Sequence, residues 1–221
     1  MTTALAAALR LLAGPDLAVV VRKLQDPAEP LWATEQPAMV RAIPARIAEF
    51  SAGRTAARAA MQALGLPKAA IPTGPDRAPV WPAGLVGSIS HSAGFCAALV
   101  ARTGAITGIG VDLEPDDPLA ADLWPEVCGS AELTALGQMP KVSRGPAAKL
   151  IFSAKECTYK CIYPQIQTVL GFAALHIRLD QPSGVFDATL LHPAEPFTAG
   201  AVWRGKYARI QGLIATVLVL R

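Results

Sequence analysis

The chain has little of what marks several common protein classes. Only four of its 221 residues are cysteine, at 96, 128, 157 and 161. No C-x-x-C spacing occurs and no dense disulfide framework can be drawn, which excludes a small cross-linked secreted scaffold and fits a reducing compartment. Cys157 and Cys161 could share a helical face, but zinc needs two further ligands, and neither His176 nor His192 is spaced to supply them. Charge is sparse as well: 17% of residues are charged, the net charge is +3, and there is no lysine-arginine run. That is too little to wrap a nucleic-acid duplex, although a mild positive excess favours an acidic partner. No segment has the uninterrupted apolar length needed to span a bilayer. The stretch Met1 to Ala13 lacks a basic leading region, carries Arg10 and is followed by Gly14-Pro15, so it reads as an amphipathic helix rather than a leader. A cytoplasmic globular protein without nucleic-acid or membrane partners is expected, and its 52% apolar content can bury a substantial core.

Punctuation by proline and glycine divides what is there. Leu17 to Lys23 reads as a short strand, and Asp26 to Pro44, rich in proline, as an irregular connection. Pro44 suits the first turn of a helix whose apolar residues Ile47, Phe50, Ala57, Met61 and Leu64 recur at helical spacing until Gly65 and Pro67 end it. Leu85 to Ser90, Phe95 to Arg102 and Thr107 to Glu114 read as three strands, and their short connections predict an antiparallel meander. Pro115 and Pro118 flank Asp116 and Asp117 near the midpoint and suggest a division into residues 1–114 and 115–221. Beyond it come helices at Ser130 to Gly137 and Pro146 to Tyr163, then strands near Val169 to Leu179, Val185 to His192, Thr198 to Trp203 and Tyr207 to Leu220. Helix followed by sheet occurs twice, which predicts an α+β fold of two similar lobes.

Four groups of residues carry chemistry. Asp112 and Glu114, in Gly-Ile-Gly-Val-Asp-Leu-Glu, are two apart on an apolar strand and so point to one face. Like charges about 5 Å apart repel by about 1 kcal/mol in water and several times more near a protein surface, so the pair invites a counter-ion. Oxygen-only ligands favour magnesium or manganese. Glu156 and Lys160 are four apart on a helix and share a face, either as an ordinary helical ion pair or as part of a site. Gly87 to Ser92 gathers hydroxyls, turn amides and His91, a set suited to phosphate oxygens. Arg46, Arg54 and Arg58 lie on the first long helix and Arg77 in the Pro-rich segment after it; guanidinium suits bidentate phosphate recognition, and a solvated arginine face is the alternative.

Together these segments resemble the phosphopantetheinyl transferase superfamily, of the type associated with surfactin and enterobactin synthetases. The resemblance rests on the Gly-Val-Asp-x-Glu strand at Gly110 to Glu114 and the Phe-Ser-x-Lys-Glu-x-x-x-Lys helix at Phe152 to Lys160, about forty residues apart. The Ser-Ile-Ser-His run and the Trp81-Pro82 approach to it are similar to the siderophore-associated branch. The resemblance implies a monomeric pseudo-dimer of two α/β lobes, each with a long helix on a mainly antiparallel sheet, and a site between them. It implies transfer of the phosphopantetheine arm of coenzyme A to a serine of an acyl- or peptidyl-carrier protein. Magnesium, or manganese, would be held by Asp112, Glu114 and Glu156. Lys160 would neutralise the leaving phosphate, with Glu156 acting as metal ligand, as base for the serine proton, or as both. By the same resemblance Arg46 and Arg54 would grip the 3′-phosphate of coenzyme A, Arg77, Ser90 and His91 would complete the nucleotide and pyrophosphate pocket, and Lys155 would add a contact. The segment Ile71 to Asp76 lacks a lysine that some relatives use near the nucleotide. A magnesium-dependent nucleotide pyrophosphohydrolase and a non-catalytic coenzyme A-binding module are the other readings of these residues.

Overall fold

A computed structural model describes residues 1–221. Helix α1 (Thr2–Ala13) buries Leu5, Leu9 and Ala13, spaced at four residues, and stops at Gly14, whose φ of 86° a side-chain-bearing residue rarely adopts. Strand β1 (Ala18–Lys23) follows, then the proline-rich strap, which contains a single helical turn at Gln36–Met39. Helix α2 (Pro44–Ala63) begins at the expected proline. From Ala52 to Arg58 every residue of α2 is buried, because one side packs on a sheet and the strap covers the other. The alanines that make it weakly amphipathic in sequence are what let two layers approach it so closely.

Strands β2 (Leu85–Ser92), β3 (Phe95–Arg102) and β4 (Gly108–Pro115) occur where expected, but not as a meander. Strand β3 is flanked by β1 and β2, so neither of its edges is free, and β4 leaves to pair along its whole length with the last strand of the chain. The chain therefore passes from one sheet to the other in residues 103–107, ahead of the proline-rich segment that suggested a division at 114/115. After a short helix α3 (Trp124–Val127) and α4 (Ser130–Gln138), the long helix α5 runs Lys141–Ile166. It is longer than the expected span from Pro146 to Tyr163, since both Pro146 and Pro164 are accommodated inside it.

The second sheet, antiparallel throughout, has the order β4, β8, β7, β6, β5, with β5 at Leu175–Asp180, β6 at Val185–Leu190, β7 at Val202–Ile210 and β8 at Leu213–Leu220. Several strand limits differ from expectation: β6 ends at Leu190, β7 begins only at Val202, and the expected strand from Tyr207 to Leu220 is divided between β7 and β8. The segment from Val169 reaches β5 only after a helical turn at Phe172–Ala174. Residues 204–206 continue β7 instead of forming a turn, because Gly205 makes room for Phe186: a Cβ there would meet the ring at 2.1 Å. The hairpin turn lies at Gln211-Gly212, both with positive φ, as tight two-residue connections require.

Helix α2 thus packs on the three-stranded sheet and α5 on the five-stranded one, an α+β fold of two lobes. Helix α1 crosses behind both, joining Leu5 and Leu9 to Val86 of the first sheet and to Ile109, Ala215 and Val217 of the second. Between the sheets there is no continuous backbone ladder. The hydroxyls of Ser88 and Ser90 on β2 accept the β4 amides of Val111 at 3.1 Å and Leu113 at 3.2 Å, which closes the seam. No helix is long and apolar enough to cross a membrane.

Candidate active site

Strand β4 sorts its side chains by alternation. Ile109, Val111 and Leu113 enter the core, while Gly108, Gly110, Asp112 and Glu114 face α5. The two glycines let the helix lie directly on the strand: a Cβ at Gly110 would come within 1.9 Å of the Cys157 carbonyl oxygen, and one at Gly108 within 2.4 Å of that of Cys161. Four helical residues advance about 6 Å and two strand residues about 6.7 Å, so the two elements, running in opposite directions, stay in step. Cys161 lies over Gly108, Cys157 over Gly110, Ser153 bonds Asp112 and Lys149 reaches Glu114. That register brings Glu156 and Lys160 to the wall that carries the acids.

Asp112 is buried, and each of its oxygens is bonded. Oδ1 accepts from Lys160 Nζ at 2.7 Å and from Ser90 Oγ at 3.1 Å, and Oδ2 accepts from Ser153 Oγ at 2.9 Å. Thr216, opposite Asp112 on β8, lies 3.0 Å from the same Ser153 hydroxyl. Burial alone would lower the Lys160 pKa, but Asp112 more than offsets it and the ammonium is held charged. Glu114 contacts Lys149 Nζ at 3.4 Å, and that lysine also pairs with Asp117 at 3.1 Å. Burial, then the Asp112 charge, raises Glu114 above the usual carboxylate range. Glu156 is raised first by burial, with Lys160 opposing and Asp112 adding to the shift.

A cavity of about 480 Å³ is lined by Asp112, Glu114, Glu156 and Lys160, and also by Arg46, Arg54, Arg77, Ser90 and His91. Residues from both halves of the chain therefore meet in one space. Arg46 Nη1 lies 2.8 Å from His91 Nε2. A guanidinium can only donate, so Nε2 accepts and the imidazole proton sits on Nδ1. Burial, assisted by Arg46 and Lys160, lowers the His91 pKa despite Glu49 and Asp112, and the ring is neutral at neutral pH. Arg54 stacks over Phe50 at 4.0 Å and is pulled down by burial to about 10. Its Nε donates to the Ile71 carbonyl at 2.7 Å and its Nη2 to Thr73 Oγ1 at 3.2 Å, so part of the guanidinium is engaged by the loop. Arg77 stands on the rim with φ of 69°, beside Asp76, whose carboxylate accepts the Tyr163 hydroxyl of α5.

Lys155 is not brought to this cavity, contrary to the contact that the resemblance implies. Adjacent residues on a helix point about 100° apart, so Lys155 turns inward where Glu156 faces the cavity. Its ammonium is buried against Glu132 Oε2 at 2.7 Å and the carbonyls of Val127 at 2.9 Å and Phe172 at 3.0 Å. Glu132 in turn accepts the amides of Gly129 and Ile177, and the cluster ties α3, α4, α5 and β5 together. Arg58 is likewise buried, paired with Glu35 and Glu29.

Sequence reasoning missed Ser153, Lys149, Glu49 and the Asp76 to Tyr163 contact. The first two could have been found by stepping back along α5 in fours from Cys161. The pairing of Glu49 with Arg46 was also readable, as an i,i+3 pair on α2, whereas that of Asp76 with Tyr163 depends on how separate segments meet and left no signal in the sequence.

The acids offer only oxygen donors to one cavity wall; Glu114 is paired with Lys149 and Asp112 with Lys160, while Glu156 has no cation within ion-pair distance. In charge and donor type they fit a hard dication, although no three His, Cys, Asp or Glu side chains converge closely enough to grip one as they stand.

Comparison with known proteins gives consistent matches along both halves of the chain. Residues 34–101 match the family model described as the 4′-phosphopantetheinyl transferase N-terminal domain, and residues 108–208 match that of the 4′-phosphopantetheinyl transferase superfamily. The chain is 35% identical over 201 residues to 4′-phosphopantetheinyl transferase Svp of Streptomyces mobaraensis, covering 88% of this chain and 80% of that protein. It is 34% identical to 4′-phosphopantetheinyl transferase PptT of Mycobacterium tuberculosis, with 84% of each covered. Enterobactin synthase component D of Salmonella typhi is 36% identical over 149 residues, 66% of this chain and 61% of its own length. The two family matches are separated by residues 102–107, where the chain passes between sheets, and the second includes β4 and α5 with the acids and Lys160. The chain thus belongs to the 4′-phosphopantetheinyl transferase superfamily and is a transferase.

Proposed function

We propose that this enzyme moves the phosphopantetheine arm of coenzyme A to a serine hydroxyl of an acyl- or peptidyl-carrier protein, in a magnesium-dependent reaction. The observation that carries the reading is that Asp112, Glu156 and Lys160 share one cavity with Arg46, Arg54, Arg77 and His91, so acid, base and phosphate-binding groups surround one space. Asp112, Glu114 and Glu156 would hold the magnesium, which when bound polarises the pyrophosphate and stabilises charge on the leaving group. Lys160, kept protonated by Asp112, faces the same charge and neutralises the departing phosphate. Glu156, which lines the cavity and has no donor bonded to it, acts as metal ligand, as acceptor for the serine proton, or as both. Arg46 and Arg54 bind the 3′-phosphate. Arg77, Ser90 and the Nδ1–H of neutral His91 complete the polar lining toward the nucleotide. The arm then points to solvent, where the carrier, usually acidic, meets a weakly positive protein.

The test is the intact mass of an apo carrier domain after incubation with enzyme, coenzyme A and magnesium. A gain of one phosphopantetheine group, lost with chelator and in Asp112→Ala or Glu156→Ala, is expected. Consumption of coenzyme A without carrier modification would instead establish a pyrophosphohydrolase, and binding without consumption a coenzyme A-binding module. Carriers from siderophore, polyketide, nonribosomal peptide and fatty-acid pathways should be compared. A siderophore carrier comes first because one relative is named for enterobactin synthase.

A further inference from the structure

We propose that the buried Glu35–Arg58 ion pair is a positioning device for the coenzyme A pocket, acting through the peptide groups of Ile71 to aim the rim at residues 72–80. The proposal rests on the coenzyme A reading of the cavity. Ile71 is fully buried and is held from two sides by charged side chains. Its N–H donates to Glu35 Oε1 at 2.9 Å, and its carbonyl accepts from Arg54 Nε at 2.7 Å. Glu35 comes from the proline-rich strap and Arg54 from α2, so residue 71 is clamped between two otherwise separate segments.

The Glu35 carboxylate is itself fixed. Both of its oxygens accept from Arg58 Nη1, at 2.8 and 2.9 Å, and Oε2 also accepts the Trp32 amide at 2.9 Å. Neither side chain of the pair has any exposure to solvent. Arg58 Nε extends the network to Glu29, which also pairs with Lys68. A buried ion pair costs desolvation that a well-packed apolar pair avoids, and such replacements are often neutral or stabilising. Stability alone therefore gives little reason for charge here. Direction does, because a carboxylate pinned by a guanidinium presents its remaining lone pair to the Ile71 amide at one fixed angle.

What lies beyond Ile71 makes that angle matter. The Val80 amide bonds the Pro72 carbonyl at 2.9 Å and the Gly74 amide bonds that of Ala78 at 2.9 Å, so residues 72–80 form a closed loop hung from its base. Arg77, Ala78 and Pro79 of this loop line the cavity, and Asp76 meets Tyr163 across it. A shift at residue 71 is passed to Arg77 as a change in where the rim stands. Arg54 links the two roles, since one guanidinium both lines the cavity and grips Ile71.

The decisive comparison is the Glu35→Met/Arg58→Met double variant against Glu35→Gln, with coenzyme A affinity measured by calorimetry, carrier modification by turnover, and folding by thermal melting. The double variant removes the ion pair and the Ile71 acceptor together. It should fold and weaken coenzyme A binding by about tenfold or more, while turnover at saturating coenzyme A changes less than about threefold. Glu35→Gln keeps an acceptor for the Ile71 amide and should retain more of the affinity. A folded double variant that binds coenzyme A like the wild type overturns the assignment. Independently of any variant, the Ile71 amide in the wild-type protein should exchange with deuterium as slowly as central amides of β3, and exchange at the rate of an exposed loop overturns it too. Failure of the wild type to bind coenzyme A would instead remove the pocket reading, and this assignment with it.

Discussion

Asp112 and Glu156 are both acids of the same wall, yet their surroundings give them opposite roles. Asp112 has donors on both oxygens, whereas no protein group donates to Glu156, which carries its charge at the expense of burial. Because the folded-state pKa of Glu156 is raised, its ionisation opposes folding. The penalty is absent below the unfolded pKa and grows as pH rises through the folded one. Glu156→Gln should therefore melt at a higher temperature than the metal-free wild type above neutral pH, and the gap should close on acidification, while carrier modification is abolished. Equal melting temperatures at pH 8 would contradict the burial argument. Lys155 makes the contrasting case. Lys155→Met leaves Glu132 buried without its cation and should cost about 3 kcal/mol in chemical denaturation, with coenzyme A affinity of the folded fraction unchanged. A selective loss of affinity would return Lys155 to the binding site.

At the level of elements, the register between β4 and α5 accounts for how the acids and Lys160 meet. Gly110→Ala would drive a methyl group into the Cys157 carbonyl, with no flexible side-chain end to yield. The helix must then lift or shift, and loss of more than about 3 kcal/mol of stability or failure to fold is expected in denaturation experiments. A stable, active variant would show that this close contact is dispensable. Both acids were legible in the sequence because they lie two apart on one strand, and Glu156 and Lys160 because they lie on one helical turn; the role of Gly108 and Gly110 was not, since it depends on the helix that lies over them. The pairing of β4 was not legible. Short connections favour a meander, and only the occupation of both β3 edges by β1 and β2, from segments far apart in the chain, sends β4 elsewhere. Lys155 was assigned by its place in a motif, although the 100° between adjacent helical residues already set it apart from Glu156; what the sequence did not show is its partner Glu132, which lies on another helix. Residues 204–206 were left between two strands because what Gly205 supplies, space for the Phe186 ring, depends on a strand nearly twenty residues earlier.

Over the whole molecule, two lobes are joined by α1 behind, by Asp76 and Tyr163 at the mouth, and by Ser88 and Ser90 along the seam. Ser88→Ala leaves the Val111 amide buried without an acceptor and should cost about 1 to 3 kcal/mol, read by denaturation, with faster hydrogen exchange at that amide. Unchanged exchange would mean that the seam is closed by something other than this hydroxyl. A peptide ladder repeats its bonds along an interface, whereas two buried hydroxyls carry this join, and that of Ser90 is fixed by Asp112 as well as by the Leu113 amide. The joint between the two sheets and the Asp112–Lys160 pair consequently share one side chain, so whatever displaces Ser90 disturbs the contact between the halves and the acid that holds the lysine in a single stroke.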